Sequence, residues 1–136
     1  MKTPTPTRRP LHELMALVDR KVGDFESVEM QGRFDFLKQA HDFANPGDLV
    51  VDVGAGRSWY HPFFEHTRYL AIDRRMYSEK LKEGTDILDV EGDALHVPLK
   101  AGVTDMMLSV SMLEHMSEPL EYLREAFRIL KPGGRL

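Results

Sequence analysis

The chain has 136 residues, room for one domain with a real core but not for two. Its 42% apolar and 29% charged residues are those of a folding chain, so disorder is not expected. Cysteine is absent, which excludes disulfides and thiolate chemistry, no apolar run is long enough for a membrane span, and a net charge of −4 disfavours a nucleic-acid partner.

Residues 1–10 are polar, carry three Thr and three Pro, and read as a flexible tail. Arg8-Arg9 lacks the apolar stretch that a twin-arginine export signal needs, so the expected location is cytoplasmic. Residues 11–136 then form one domain, with helices within 11–44 and a core over 48–136. Leu11, Leu14, Met15 and Val18 fall at helical spacing. A second helix is predicted from Met30 to Ala44, with Phe34, Leu37, Ala40 and Ala44 on one face, ended by Asn45-Pro46-Gly47.

The pattern then changes. Leu49-Val50-Val51-Asp52-Val53 is short, β-branched and almost wholly apolar, which suits a strand buried on both faces. Tyr69-Leu70-Ala71-Ile72 is a second strand, Ile87-Leu88-Asp89-Val90 a weaker third, and Met106 to Val110 a fourth. Ser117 is the expected N-cap of a last helix with Leu120, Leu123, Phe127 and Leu130 on its apolar face, stopped by Lys131-Pro132-Gly133-Gly134. Buried strands alternating with helices predict an α/β fold with a parallel sheet, whose ligands bind at the carboxyl ends of the strands.

The polar and glycine residues gather at those ends: Gly54-Ala55-Gly56, Asp73, Asp93 and Ser109 to Ser111. Glycines at a strand-to-helix turn permit positive φ and close ligand approach, though a plain tight turn uses them too. Trp59 stands where a dinucleotide fingerprint needs its last glycine, which disfavours a nicotinamide cofactor. Asp73 follows the glycines by about 20 residues, the place of a ribose-binding acid. Its other reading is a turn cap neutralised by Arg74-Arg75. Asp93 can accept from an adenine amino group, or simply sit in a turn.

Val50-Val51-Asp52-Val53-Gly54-Ala55-Gly56 resembles the first motif of class I, Rossmann-like S-adenosylmethionine-dependent methyltransferases. Leu70-Ala71-Ile72-Asp73 resembles their second-strand acid, and Gly92-Asp93-Ala94-Leu95-His96-Val97-Pro98-Leu99 their adenine-side segment. Leu108-Ser109-Val110-Ser111-Met112-Leu113-Glu114-His115 is similar to the fourth strand and its loop, and Leu130-Lys131-Pro132-Gly133-Gly134-Arg135-Leu136 to the corner before the fifth strand. The nearest group is the one called type 11. Ser58 replaces the usual third glycine of the first motif.

The resemblance implies S-adenosyl-L-methionine as cofactor. Its amino-acid end would lie on Gly54, Ala55 and Gly56, with Asp52 near the ammonium through water. Asp73 would take the ribose diol, Asp93, Ala94 and Leu95 the adenine, and Arg74 and Ser109 complete the expected contacts. His115 is a candidate base for an acceptor that arrives protonated, or merely shapes its loop. The histidines show no metal-ligand spacing, so no metal is expected. The acceptor would be a small molecule, a lipid or a sugar.

The family's sheet has seven strands, and this chain ends where the fifth should begin. The expectation is therefore a truncated sheet of order 3-2-1-4, with residues 106–110 as an open apolar edge that could pair two copies into a homodimer. A truncated relative could also be a non-catalytic module that binds the cofactor or a partner.

Overall fold

A computed structural model describes residues 9, 10, 12–14, 16, 28–74 and 89–136. Residues 12–14 and 16 are helical and Leu14 is fully buried, while Leu11, Met15 and Val18 lie outside the described residues, as do residues 1–8 of the expected tail. Arg9 pairs with Glu65 at 2.6 Å. Helix α1 (Val28–Phe43) precedes strand β1 (Leu49–Val53), a 3-10 turn (His61–Phe64) and β2 (Arg68–Asp73). Then come β3 (Val90–Glu91), β4 (Thr104–Leu108), a 3-10 turn (Leu113–His115), helix α2 (Pro119–Ile129) and β5 (Leu130–Arg135). No helix among the described residues is long and apolar enough to cross a membrane.

The sheet is parallel, in the order β3-β2-β1-β4-β5. The expected order 3-2-1-4 is present, and what is corrected is the absence of a fifth strand beside it. Residues 130–135 are the fifth strand, so β4 is paired on both sides and offers no open edge for a homodimer. Pro132-Gly133-Gly134 reads as a stop because Pro lacks an N–H and Gly breaks ladders. Here these residues loop out: Thr104 pairs with Leu130 and Met106 with Arg135, with an irregularity between them. Gly133 takes φ 79°, and a Cβ on Gly134 would stand 2.9 Å from the Lys131 carbonyl oxygen.

Strand alternation sorts the core into two faces. Val50, Met106 and Leu108 pack with Leu37, Ala40 and Ala44 of the α1 side and with Phe63 and Phe64. Val51, Val53, Ile72 and Met107 pack with Tyr122, Ala126 and Ile129 of α2. Between α1 and β2, the buried rings of His41 and His66 meet edge to face and bond the carbonyls of Phe63 and Ala44.

Helix α2 departs from the expected face. Leu120, Leu123 and Phe127 are exposed, Phe127 by 84%, while Tyr122, Ala126 and Ile129 are buried. Both triads have helical spacing, so periodicity alone could not choose. Polar pins choose. Tyr122 donates to Ser109 Oγ at 2.6 Å, Arg128 donates to the carbonyls of Val97 and Leu99, and Glu125 accepts the Val97 N–H. The helix also starts at Pro119 behind Glu118, without a side-chain cap, so Ser117 is not its N-cap; a proline suits the first turn, whose N–H has no helical partner. Phe127→Ser is therefore expected to move the free energy of urea unfolding by less than about 0.5 kcal/mol. Tyr122→Phe should lower it by about 1 kcal/mol through the lost hydrogen bond.

Strands β3 and β4 are also shifted from their expected spans. Ile87 and Leu88 lie outside the described residues, and pairing is seen at Val90 and Glu91. Thr104 and Asp105 begin β4, which leaves Ser109 and Val110 beyond its end.

Candidate functional site

The carboxyl ends of β1, β2 and β3, with the segment that follows β4, enclose a cleft of about 340 Å³, within the usual range for small-ligand pockets. Gly54 takes φ 76° and Gly56 φ 54°, both in the left-handed region that glycine tolerates. The turn is tied to β2: Gly54 and Ala55 donate to the Ile72 carbonyl, and Gly56 donates to Asp73 Oδ2 at 2.7 Å. Asp73 Oδ1 accepts the Arg74 N–H at 2.6 Å. An ionised carboxylate has about four acceptor positions, so two backbone bonds leave room for a diol. Ser58, at the position of the missing glycine, adopts φ 52° and is buried.

Asp93 Oδ1 accepts the Leu95 N–H at 2.9 Å and meets Arg74 Nη2 at 3.4 Å. The Leu95 bond is the main reason its carboxyl lies below the ordinary range, with Arg74 adding to it. Arg74 thus spans the ends of β2 and β3. An exposed pair like this is worth little to stability.

Asp52 lies beneath the turn, 2% exposed, in the middle of an apolar strand. Tyr69 donates its hydroxyl to Asp52 Oδ2. Burial dominates and, helped by the negative charge of Asp73, pushes the Asp52 pKa up to about 7 against the Tyr69 bond. Tyr69 is itself held neutral by burial and by the adjacent Asp52. Among the described residues the Tyr69 hydroxyl, a neutral donor, is what offsets the burial of this carboxylate.

The expected residues are thus distributed in layers. Gly54, Asp73, Arg74, Ala94, Leu95 and His115 line the cleft. Gly56 and Asp93 are one hydrogen bond removed from that lining, Ala55 follows Gly54 in the turn, and Asp52 is below it. Ser109 is not part of the lining; its hydroxyl receives Tyr122 from the α2 side. His115 is exposed, on the 3-10 turn after β4. Among the described residues no cluster of three or more potential metal ligands occurs.

Residues not foreseen complete the site. Met112 and Met116 line the cleft, and a Cβ on Gly54 would lie 2.0 Å from the Met112 sulfur, so a larger residue there would have to displace that side chain and adopt a φ of 76°. Tyr69 sits two residues before Ala71, the register partner of Asp52, and so on the same sheet face. An aspartate in a doubly buried strand demands such a donor. Ile72, Ala94, Leu95 and the two methionines give an apolar lining beside the polar Asp73, a combination that suits an adenosine.

The model of the methyltransferase domain family matches residues 51–136. The chain is 34% identical over 103 residues to the ubiquinone/menaquinone biosynthesis C-methyltransferase UbiE of Ruegeria sp., covering 67% of this chain and 41% of that protein. It is 27% identical over 101 residues to the tRNA (carboxymethyluridine(34)-5-O)-methyltransferase ALKBH8 of Mus musculus, covering 65% of this chain and 14% of that one. The chain spans less than half the length of these relatives. Its fold resembles a SAM-dependent methyltransferase from Aquifex aeolicus, with TM-score 0.58, 22% identity, and coverage of 92% of this chain and 69% of that one. With a family match over most of its length and a cleft suited to the same nucleoside, the chain belongs to the type 11 group of S-adenosylmethionine-dependent methyltransferases.

Proposed function

We propose that the chain binds S-adenosylmethionine in the cleft and methylates a small organic acceptor, a small molecule, lipid or sugar. The observation that carries this reading is the convergence of three strand ends on one nucleoside-sized space. Gly56 bonds Asp73, and Arg74 next to Asp73 reaches Asp93. The likeness to a quinone-pathway C-methyltransferase favours a lipid-like acceptor over RNA, as does the net charge of −4.

In this reading the remaining lone pairs of Asp73 hold the ribose hydroxyls. Asp93 and the Leu95 backbone flank the adenine edge, with Ala94 and Leu95 against its face. Asp52 ionises opposite the ammonium of the amino-acid end. S-adenosylmethionine supplies a sulfonium methyl that already carries its leaving group, so no protein nucleophile is needed. The chain's own work is alignment and exclusion of water, with Met112 and Met116 closing the apolar side. His115, exposed on the cleft lining, takes a proton from an acceptor hydroxyl or amine that arrives protonated.

Calorimetric titration with S-adenosylmethionine and S-adenosylhomocysteine tests the binding step. Transfer of a labelled methyl group to demethylated quinone intermediates, other lipids or sugars tests the reaction. Binding without transfer to any acceptor would leave a cofactor-binding module. Absence of binding would end the reading.

A further inference from the structure

Helix α2 buries one face against the sheet and carries an apolar stripe on the other. Leu120, Leu123 and Phe127 are 68%, 39% and 84% exposed, opposite the buried Tyr122, Ala126 and Ile129. A single exposed leucine is ordinary on a soluble surface. Three large apolar side chains at spacings of three and four make a continuous stripe, the pattern of a contact surface. No residue of α2 lines the cleft, so this surface is separate from the nucleoside site.

The charges beside the stripe decide what fits it. At about 100° per residue, Glu121, Arg124 and Arg128 fall along one flank of the stripe and Leu123 on the other. Glu121 and Arg124 pair within the helix, and both side chains are more than half exposed. Arg128 is held by Glu125 and by the carbonyls of Val97 and Leu99. Consider an antiparallel copy of the helix, related by a two-fold axis near Leu123 and Arg124. Phe127 then meets Leu120 of the second copy, and Leu120 meets its Phe127. The same axis sets Glu121 beside Arg124 of the second copy, so the two in-chain pairs join into a network of four charges. A parallel copy would oppose Glu121 to Glu121 and Arg124 to Arg124. The stripe and its charges are therefore self-complementary in one orientation only. An anionic lipid surface fits less well, because the exposed Glu118 and Glu121 stand on the rim.

We propose that α2 is the contact surface of a two-fold homodimer. Leu120, Leu123 and Phe127 form its apolar seam, and Glu121 with Arg124 fixes the antiparallel register. This surface lies apart from β4, whose edge β5 covers. Eleven residues make a helix about 16 Å long. Two helices of that length bury less than the roughly 800 Å² per partner of a standard interface, so the dimer is weak, with a dissociation constant of about 10–100 μM. The inference stands on the helix alone and does not depend on the cofactor reading.

Sedimentation velocity of the full chain over about 5–500 μM reads this association. Wild type should move from monomer toward dimer across the range. Phe127→Ser, which leaves folding stability nearly unchanged, should raise the dissociation constant at least about tenfold. Arg124→Glu and Glu121→Arg should each remain monomeric over most of the range, because each opposes like charges across the axis. An equimolar mixture of those two variants should recover the dimer, since every pair across the axis is then of opposite sign. Urea unfolding shows whether each variant is folded; if a charge variant is not, Phe127→Ser decides alone. A wild type that stays monomeric at the highest concentration overturns the proposal. Association that survives Phe127→Ser places the contact elsewhere and also overturns it. Binding of monomeric wild type to phosphatidylcholine vesicles, lost in Phe127→Ser, would assign the stripe to lipid and overturn the homodimer.

Discussion

Replacing Asp52 by asparagine is expected to stabilise the ligand-free chain and at the same time weaken its cofactor binding. Asp52 is 2% exposed, and burial raises its pKa from 3.8 to about 7. Between those values the native chain holds a proton that the unfolded chain has released. Native stability therefore falls as pH rises through this window, and the deficit is complete above about pH 7. A rise of that size corresponds to an upper figure of about 4 kcal/mol. Asparagine is neutral throughout and its oxygen still accepts the Tyr69 hydroxyl, so it avoids this cost. Urea unfolding without cofactor should give a difference near zero at pH 4, growing to about 2–4 kcal/mol at pH 8 in favour of the variant. Parallel pH profiles for the two proteins would contradict the assignment. Cofactor affinity runs the other way. If an ammonium binds opposite ionised Asp52, wild-type affinity should fall by about tenfold per pH unit below 7, with proton release measurable as a buffer-dependent heat. Asp52→Asn should be weaker at pH 8 by roughly tenfold or more, and nearly pH-independent.

The same residue marks how far the sequence could be read. The run Leu49 to Val53 announced a central strand because an apolar β-branched pentad suits a position buried on both faces, and four of its five residues are buried. The glycine turn and the acids Asp73 and Asp93 were legible because each stands where a strand ends, so chain order alone placed them together. What was not legible depends on contacts between distant segments. The face of α2 was set by Arg128 and Glu125 gripping the Val97–Leu99 backbone, against an equally periodic apolar stripe. The fifth strand was hidden because Pro132-Gly133-Gly134 carries the chemistry of a stop, while a ladder can resume beyond an outward loop. Ser109, singled out for its place at a strand end, was claimed instead by Tyr122.

Stability and function thus pull against each other around β1. A fold free to optimise itself would not keep an aspartate there, or two serines beyond φ 50°. Concentrated cost of this kind at one sheet end is what a ligand site leaves in a sequence.

Asp73→Ala is expected to abolish most cofactor affinity with only a modest effect on the fold. The Asp73 side chain is partly exposed, and its two bonds go to the N–H groups of Gly56 and Arg74, which water can reach once the carboxylate is gone. Unfolding free energy should drop by about 1–2 kcal/mol. For the ligand the loss is larger, because a carboxylate paired with two ribose hydroxyls makes two charge-assisted bonds, each worth about 1.5–3 kcal/mol. Dissociation constants for S-adenosylhomocysteine should rise at least about a hundredfold. The assignment can be separated from general damage by a 2′-deoxy analogue of the same ligand. Wild type should lose about tenfold or more on removal of that hydroxyl, whereas Asp73→Ala should hardly distinguish the two ligands, since the partner of the hydroxyl is already missing. Asp73→Asn is informative between them: its amide oxygen can accept one backbone N–H, but its amino group faces the other, so the Gly56 turn loosens even though the volume is unchanged. If wild type binds the deoxy ligand as tightly as its parent, Asp73 does not hold a ribose. The acid would then be only the tie that closes the glycine turn onto β2.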